Sequence, residues 1–233
     1  MDVQFMTDSF LRLLGGIPLT LKLAFSSIGL GLALALALVA LMRQPIRPLG
    51  WLAHGYVFVF RGTPLLVQVF LIYYGLGQFR PFFQDYGLWW LFRDPYHCAL
   101  LALTLNTGAY TAEILRGGLQ SVPAGAVEAA RAFGMSGMTL YWRIIAPLGF
   151  RQALPAYASE IILMIKATSL ASTITLMEVT GVAHKLISES FRAVEVFLCA
   201  GAIYLTINFT VTAVFSLLER WVAPDLNAGV TKP

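Results

Sequence analysis

The chain has 233 residues, of which 58% are hydrophobic and only 12% are charged, about half the usual charged share of roughly 25%. A soluble domain of this size could not cover its surface with so few charges, so the composition predicts an integral membrane protein. It excludes a soluble enzyme, a disordered region and a nucleic-acid-binding module. The net charge of +4 comes from scattered residues without a basic run, so nucleic acid is not an expected partner.

Five segments are predicted to cross the bilayer as helices, because a hydrocarbon core of about 30 Å requires about 20 apolar residues with internally bonded amides. A short surface helix over residues 5–14 is predicted to precede them. The second segment contains Arg61-Gly62-Thr63-Pro64, where we expect an interfacial entry and a proline-assisted bend. The predicted spans, all within a single transmembrane domain 1–233, are residues 19–42, 55–79, 96–116, 153–176 and 196–218.

The loop charges predict the direction of the chain through the membrane. The first loop carries two arginines and no acid, and the third carries four arginines against one glutamate. The second loop is neutral and the fourth is net acidic, with Glu178 counted among its acids. Because cytoplasmic loops carry the excess of Lys and Arg, the N-terminus is expected outside. The third loop, residues 117–150, and the C-terminus are expected in the cytoplasm.

Catalytic and metal sites are not predicted. The three histidines lie on different loops on both sides of the membrane, and the chain has no G-x-x-x-x-G-K-[ST] phosphate-binding loop. We therefore expect no catalytic residue, no metal site and no cofactor bound by this chain. The two cysteines, Cys98 and Cys199, each lie in an apolar run. Both are expected to be buried free thiols, and a disulfide between them is the alternative.

Ionisable residues within the predicted spans indicate a second kind of site. A charge at a helix centre costs about 2.5–3.5 kcal/mol on insertion scales, so such residues are expected to face protein rather than lipid. Glu160 and Lys166 of the fourth span point about 120° apart at 3.6 residues per turn, so each needs a partner elsewhere. These residues either join helices or line a path for a polar substrate. Candidate partners at similar depth are Asn106, Thr107, Tyr110 and Glu113.

The third loop is predicted to contain two short helices. Residues 126–133 have helix-forming composition with Glu128 in the first turn, and Gly134 follows where a C′ glycine ends a helix. A second helical stretch from about residue 139 to 145 is expected to end at Pro147. Two such helices on the cytoplasmic side predict a docking surface for another protein, and an ordinary inter-helix loop is the alternative.

The residues of this loop resemble a known family. Glu128-Ala129-Ala130, Gly134 and the later Ile-x-Ala-Pro147 are similar to the E-A-A loop of permease subunits of bacterial ABC importers, with Ala146 where the family usually has Leu. Residues 60–68, 105–123 and 154–172 resemble the polar amino-acid subfamily, in particular its histidine and its octopine or nopaline permeases. The resemblance implies an all-α integral membrane protein of the bacterial inner membrane. Its fold would be that of a type I ABC importer permease, with five transmembrane helices and a cytoplasmic coupling-helix loop.

The resemblance also implies partners and roles. A second permease subunit would complete the path; the resemblance favours a paralogue, and a second copy of this chain stays open. Two ATPase subunits would bind ATP, and a periplasmic binding protein would deliver a polar amino acid or opine. Lys166, Thr168 and Ser169 lie in the block similar to the substrate region, and Lys166 is a candidate contact for a substrate carboxylate. A stand-alone secondary transporter would show inverted repeats and a longer chain. The residues implied to contact the ATPase are Glu128, Ala129, Ala130, Gly134 and Pro147.

Overall fold

The computed structural model describes residues 2–44 and 47–222, and these residues form helices without any strand. Two π turns, Leu71–Gly75 and Tyr141–Ile145, and one 3₁₀ segment, Thr168–Ile174, extend neighbouring helices. The α-helices are α1 (Val3–Leu14), α2 (Ile17–Met42), α3 (Arg47–Gly62), α4 (Leu65–Phe70), α5 (Arg80–Asp85), α6 (Trp89–Arg93), α7 (Pro95–Gln120), α8 (Ala124–Ala132), α9 (Gly137–Leu140), α10 (Ala146–Ala167), α11 (Val179–Ser190) and α12 (Ala193–Val222).

Three of the described helices, α2, α7 and α12, are each long and apolar enough to cross a membrane. Two bent helix pairs raise the number of candidate spans to as many as five. The first pair joins α3 to the segment Leu65–Gly75 with a bend of 105°, and the second joins the segment Gly137–Ile174 to α11 with a bend of 46°. The bend expected around Pro64 is therefore present, because proline has no amide to continue the helical hydrogen bonds.

The helix expected to end at Pro147 does not end there, so that prediction is wrong. The π turn Tyr141–Ile145 runs directly into α10, with Pro147 in the first turn of that helix. A π turn widens the helix locally and accommodates both the missing amide and the ring of the proline. The same helix loses its α-helical form after Ala167 and continues as the 3₁₀ segment, whose end is set by Thr175 with a left-handed φ of 72°.

The centre of the fold is α7, which packs against α2 on one side and α10 on the other. Glycines allow the closest approach. A Cβ atom at Gly118 would lie 2.5 Å from the carbonyl oxygen of Gly149 and 2.7 Å from the Cβ of Ala153. Helix–helix contacts in membranes rely on such small residues, because packing rather than the hydrophobic effect drives the association.

Replacing Gly118 by leucine is expected to destabilise the protein, because α7 and α10 would have to separate at this contact. Overpacking of this kind typically costs about 1–3 kcal/mol. The neighbouring Gly117 is the matched control, because a Cβ there meets nothing within 4 Å. Thermal unfolding of the detergent-purified variants should show a lower midpoint for Gly118→Leu than for Gly117→Leu. Equal midpoints would contradict the close contact.

Both cysteines are buried and free, which confirms the expected buried thiols. Cys98 lies in the cluster formed with Leu103 and neighbouring side chains of α2, α7 and α10, whereas Cys199 lies in a cluster with Leu13 of α1. Their thiols donate to backbone carbonyls within reach, Cys98 to Phe92 and Cys199 to Met6. The disulfide left open by the sequence is therefore absent between these two described residues.

Glu178, which the charge count treats as a loop acid, is completely buried at the start of α11. Its carboxylate accepts hydrogen bonds from the amides of Thr180 and Gly181, each at 2.9 Å, and from the hydroxyl of Tyr204 at 2.7 Å. The amide of Val179 donates to the Thr20 hydroxyl at 3.2 Å. This N-cap therefore ties α11 to both α2 and α12.

Candidate functional site

A cavity of about 470 Å³ lies beside the bend between α3 and α4 and is lined on its other sides by α7 and α10. This volume is within the range of about 300–1,000 Å³ typical of small-molecule sites. The bend supplies Arg61 and Thr63, α7 supplies Asn106 and Tyr110, and α10 supplies Glu160 among apolar neighbours. Five polar side chains from three chain segments, the bend, α7 and α10, therefore line one cavity.

The bend exists because polar side chains satisfy the backbone groups that it frees. Proline at position 64 leaves carbonyls at the end of α3 without helical partners. The buried Gln68 amide donates to the carbonyl oxygens of Phe60 at 2.9 Å and Thr63 at 3.1 Å. Asn106 in turn donates to the side-chain oxygen of Gln68 at 3.1 Å. Asn106 thus holds the bend in place as well as lining the cavity.

Glu160 is the acidic group of the cavity. Its side chain is buried, with 6% relative exposure, and one carboxylate oxygen accepts a hydrogen bond of 3.0 Å from the Thr107 hydroxyl on α7. No basic side chain among the described residues forms an ion pair with it. A buried carboxylate without a cationic partner is costly, so it is suited to receive a cationic group of a ligand.

Arg61 is the basic group of the cavity. Its guanidinium lies over the ring of Tyr110, 5.3 Å from the centroid, and 3.8 Å from the carboxylate of Glu113. Arg116 also pairs with Glu113, through its Nε at 2.9 Å. Two arginines therefore share one carboxylate, which leaves Arg61 with positive charge available to the cavity. The cavity can hold a zwitterion, with an ammonium group near Glu160 and a carboxylate near Arg61.

The structure brings only some of the sequence-based candidates together. Asn106, Tyr110 and Glu160 line the cavity, and Glu113 contacts it through Arg61. Lys166 is exposed and lies outside the lining. Thr168 and Ser169 donate their hydroxyls to carbonyls three residues earlier on the same helix. Arg61 was missed as a site residue, although a charge interrupting an apolar segment beside Pro64 was the available signal.

The coupling-loop candidates lie on and around α8. Glu128 and Ala129 are exposed, whereas Ala130 is buried with 5% relative exposure. The helix ends in a Schellman motif, in which the Met135 amide donates to the Ala130 carbonyl at 3.0 Å and the Gly134 amide to the Arg131 carbonyl at 2.9 Å. Gly134 has a φ of +80°. This motif turns the chain sharply and leaves one face of α8 accessible.

Large apolar side chains are exposed next to this turn. Phe133 is 84% exposed and Met138 is 71% exposed. Pro147 is also exposed, at the beginning of α10. The loop therefore exposes an acid, small residues and an aromatic side chain on one surface.

Residues 27–224 match the family described as the inner membrane component of binding-protein-dependent transport systems, and the chain belongs to this family. It is an all-α membrane permease, which confirms the fold class and the family resemblance.

Among its relatives, the chain is 53% identical over 232 residues to the nopaline transport system permease protein of Agrobacterium fabrum, covering 99% of this chain and 95% of that one. It is 57% identical over 227 residues to the octopine transport system permease protein of Rhizobium radiobacter, covering 96% and 91%. A crystal structure of an amino acid ABC transporter with histidines matches with a TM-score of 0.85 and 33% identity, covering 94% of this chain and 98% of that one.

Proposed function

We propose that this chain is the permease subunit of an ATP-driven importer for opines or polar amino acids, and that the cavity beside the α3–α4 bend is its substrate site. The observation that carries the proposal is that one cavity of about 470 Å³ is lined by both an acid and a cation. The acid, Glu160, is buried and forms no ion pair among the described residues, and the cation, Arg61, shares its only carboxylate with Arg116. Amino acids and opines carry both an amino group and a carboxylate, so both cavity charges have a partner on the substrate.

Two cations are candidates for the substrate carboxylate. Arg61 lines the cavity, and Lys166, proposed from the sequence together with Thr168 and Ser169, lies one turn beyond Leu163 on α10. Lys166 would contact the substrate only at another stage of its passage. Tyr110 supports Arg61 by lying under its guanidinium and donating to its carbonyl oxygen at 3.4 Å. The geometry of the described residues therefore favours Arg61 as the binding cation.

The remaining parts of the transporter follow from the family and the loop. A second permease subunit, a paralogue, would complete the path; an ATPase dimer would bind and hydrolyse ATP; a periplasmic binding protein would deliver the substrate. This chain itself would need no cofactor. The residues proposed to transmit the motion of the ATPase are Glu128, Ala129, Ala130, Gly134 and Pro147. Support comes from the exposed face of α8 and the aromatic side chain beside it.

The loop charges support a periplasmic N-terminus and a cytoplasmic coupling loop in the bacterial inner membrane. The C-terminus, which the same charges assign to the cytoplasm, lies outside the described residues in the segment 223–233.

Co-purification with substrate uptake tests the proposal. The tagged protein is solubilised from native membranes, its companions are identified, and the recovered complex is reconstituted with the binding protein for uptake of labelled octopine, nopaline and arginine. We expect an ATPase and a second permease subunit to co-purify, and uptake to require ATP. Recovery of the chain alone, as a homo-oligomer whose uptake depends on an ion gradient, would overturn the importer proposal.

Charge-removing substitutions separate the two candidate cations. We expect Arg61→Gln to reduce uptake about tenfold or more, because a hydrogen bond to a charged partner contributes about 1.5–3 kcal/mol. Lys166→Gln is expected to change uptake less than Arg61→Gln, because Lys166 lies outside the cavity lining. Initial uptake rates at saturating binding protein measure the difference. A larger loss for Lys166→Gln would make the lysine the substrate contact.

A further inference from the structure

A second cavity, of about 580 Å³, lies between the end of α2 that carries Arg43, the end of α7, and the segment joining α9 to α10. The loop charges assign this end of the bundle to the cytoplasm, so the inference rests on the orientation in the proposed function. The wall is almost entirely apolar. Its principal side chains are Leu36, Val39, Leu115, Leu119, Trp142 and Phe150. None of these residues belongs to the substrate cavity.

The cavity opens to the surface of the chain, where we expect lipid. Leu36 on the first span is 44% exposed, Phe150 on α10 is 45% exposed, and Trp142 is 62% exposed. Tryptophan is favoured at the level of the lipid headgroups, where one edge of the ring is apolar and the other is wet. In the expected orientation, the cavity would extend from the headgroup level at Trp142 towards the hydrocarbon level at Leu36.

A single cation lies at the rim of this cavity. Arg43 is exposed, its guanidinium carbon lies 4.4 Å from the centroid of the Tyr141 ring, and no acid within residues 2–44 and 47–222 pairs with it. A guanidinium held by an aromatic ring and free of a carboxylate is well suited to a phosphodiester, which it can bind with two parallel hydrogen bonds. The cytoplasmic leaflet is also where anionic lipids attract basic residues.

We propose that this cavity is a binding site for one anionic phospholipid of the inner leaflet, with an acyl chain among the apolar side chains and the phosphodiester on Arg43. The lipid would hold α2 against Tyr141 and Trp142, which lie within the coupling loop directly after α9. An apolar protein segment fits the wall less well, because it offers no negative charge at the position of Arg43.

Native mass spectrometry of the full-length protein, purified in detergent with the subunits that accompany it, tests the site. The probes are phosphatidylglycerol, phosphatidylcholine with the same acyl chains, and glycerophosphate without acyl chains. We expect retention of one phosphatidylglycerol that neither of the other probes replaces. Equal retention of phosphatidylcholine would overturn the role of charge, and displacement by glycerophosphate would overturn the role of the cavity.

Two variants test the two parts of the site separately. Arg43→Gln removes the charge, and Ala40→Leu places a larger side chain in the lining; each should lower phosphatidylglycerol retention at least fivefold. The matched controls are Ala37→Leu, at an exposed position of α2 outside the lining, and Arg93→Gln, at the other end of the bundle. Both should retain lipid as the wild type does. If Arg43→Gln lost phosphatidylglycerol while Ala40→Leu retained it fully, the lipid would contact only the surface charge and not the cavity. That result would overturn the proposal.

A second measurement tests the lipid site without relying on the folding of the Ala40→Leu variant. Phosphatidylglycerol with brominated acyl chains should quench the fluorescence of Trp142 more than brominated phosphatidylcholine does, with the Trp142→Phe variant defining the contribution of this residue. Equal quenching by both lipids would contradict the proposal. Neither experiment uses transport, so failure of the lipid site and failure of the substrate site are distinguished.

Discussion

Replacing Glu160 by glutamine is expected to lower binding-protein-dependent uptake about 10- to 150-fold. The substitution removes the negative charge from the substrate cavity but keeps an oxygen that can accept the Thr107 hydrogen bond of 3.0 Å. A hydrogen bond to a charged partner contributes about 1.5–3 kcal/mol, and every 1.4 kcal/mol corresponds to a factor of ten. The loss would fall on the substrate ammonium group, because Glu160 has no basic partner among the described residues.

Initial uptake rates at saturating binding protein, with the thermal unfolding midpoint recorded for each variant, check this expectation. Glu189→Gln is the matched control, since it makes the same chemical change at an exposed carboxylate paired at 3.9 Å with Arg12, far along the chain from the cavity. The control should transport normally. Unaltered uptake in Glu160→Gln would show that the buried acid holds helices together and does not bind substrate.

Replacing Gly134 by valine is expected to reduce uptake about 5- to 30-fold while membrane insertion stays unchanged. Gly134 has a φ of +80°, and a Cβ there meets no atom within 4 Å, so the cost is conformational rather than steric. A left-handed conformation costs an ordinary L-residue about 1–2 kcal/mol, and this corresponds to a factor of about 5–30 in the population of the native turn. The turn sets the position of α8, the helix proposed to couple the chain to its ATPase.

Asparagine and a neighbouring glycine provide the controls. Gly134→Asn should lose less activity than Gly134→Val, because asparagine adopts the left-handed region more readily. Gly125→Ala, within α8 and with open space around its Cβ position, should transport normally. ATP hydrolysis and uptake are measured together in the reconstituted complex. If Gly134→Val and Gly134→Asn transported equally well, the left-handed turn would have no part in coupling.

Local features could be predicted because their causes are local. The first span follows from an uninterrupted apolar run, and α2 (Ile17–Met42) contains it. The end of α8 follows from a glycine at the position just after the helix, where a left-handed residue ends it, and Gly134 has the expected left-handed φ. The bend before α4 follows from Pro64, which has no amide to donate. In each case, hydropathy, capping or a missing donor acts within a few residues of the feature that it determines.

Proline 147 shows where local reasoning fails. A proline after a short helical stretch predicts a helix end, but the π turn Tyr141–Ile145 absorbs the irregularity and the helix continues as α10. Extending the helix is favourable here because α10 then packs along α7 at the Gly118–Gly149 contact. Tertiary packing therefore outweighs the local signal, and such packing is not visible in a single sequence.

The amino-acid sequence by itself determined the class of this protein, its family and the position of its apolar helices, because hydropathy and short motifs are properties of contiguous residues. Only the tertiary structure decided which polar residues meet. Arg61 reaches Tyr110 and Glu113 across about fifty residues, and Glu160 reaches Thr107 across a similar separation. Glu178, which the sequence presents only as an acid in a predicted loop, is the buried N-cap of α11. Which distant side chains come into contact depends on how the helices bend and pack. That packing depends on contacts throughout the chain and is not encoded in any short segment.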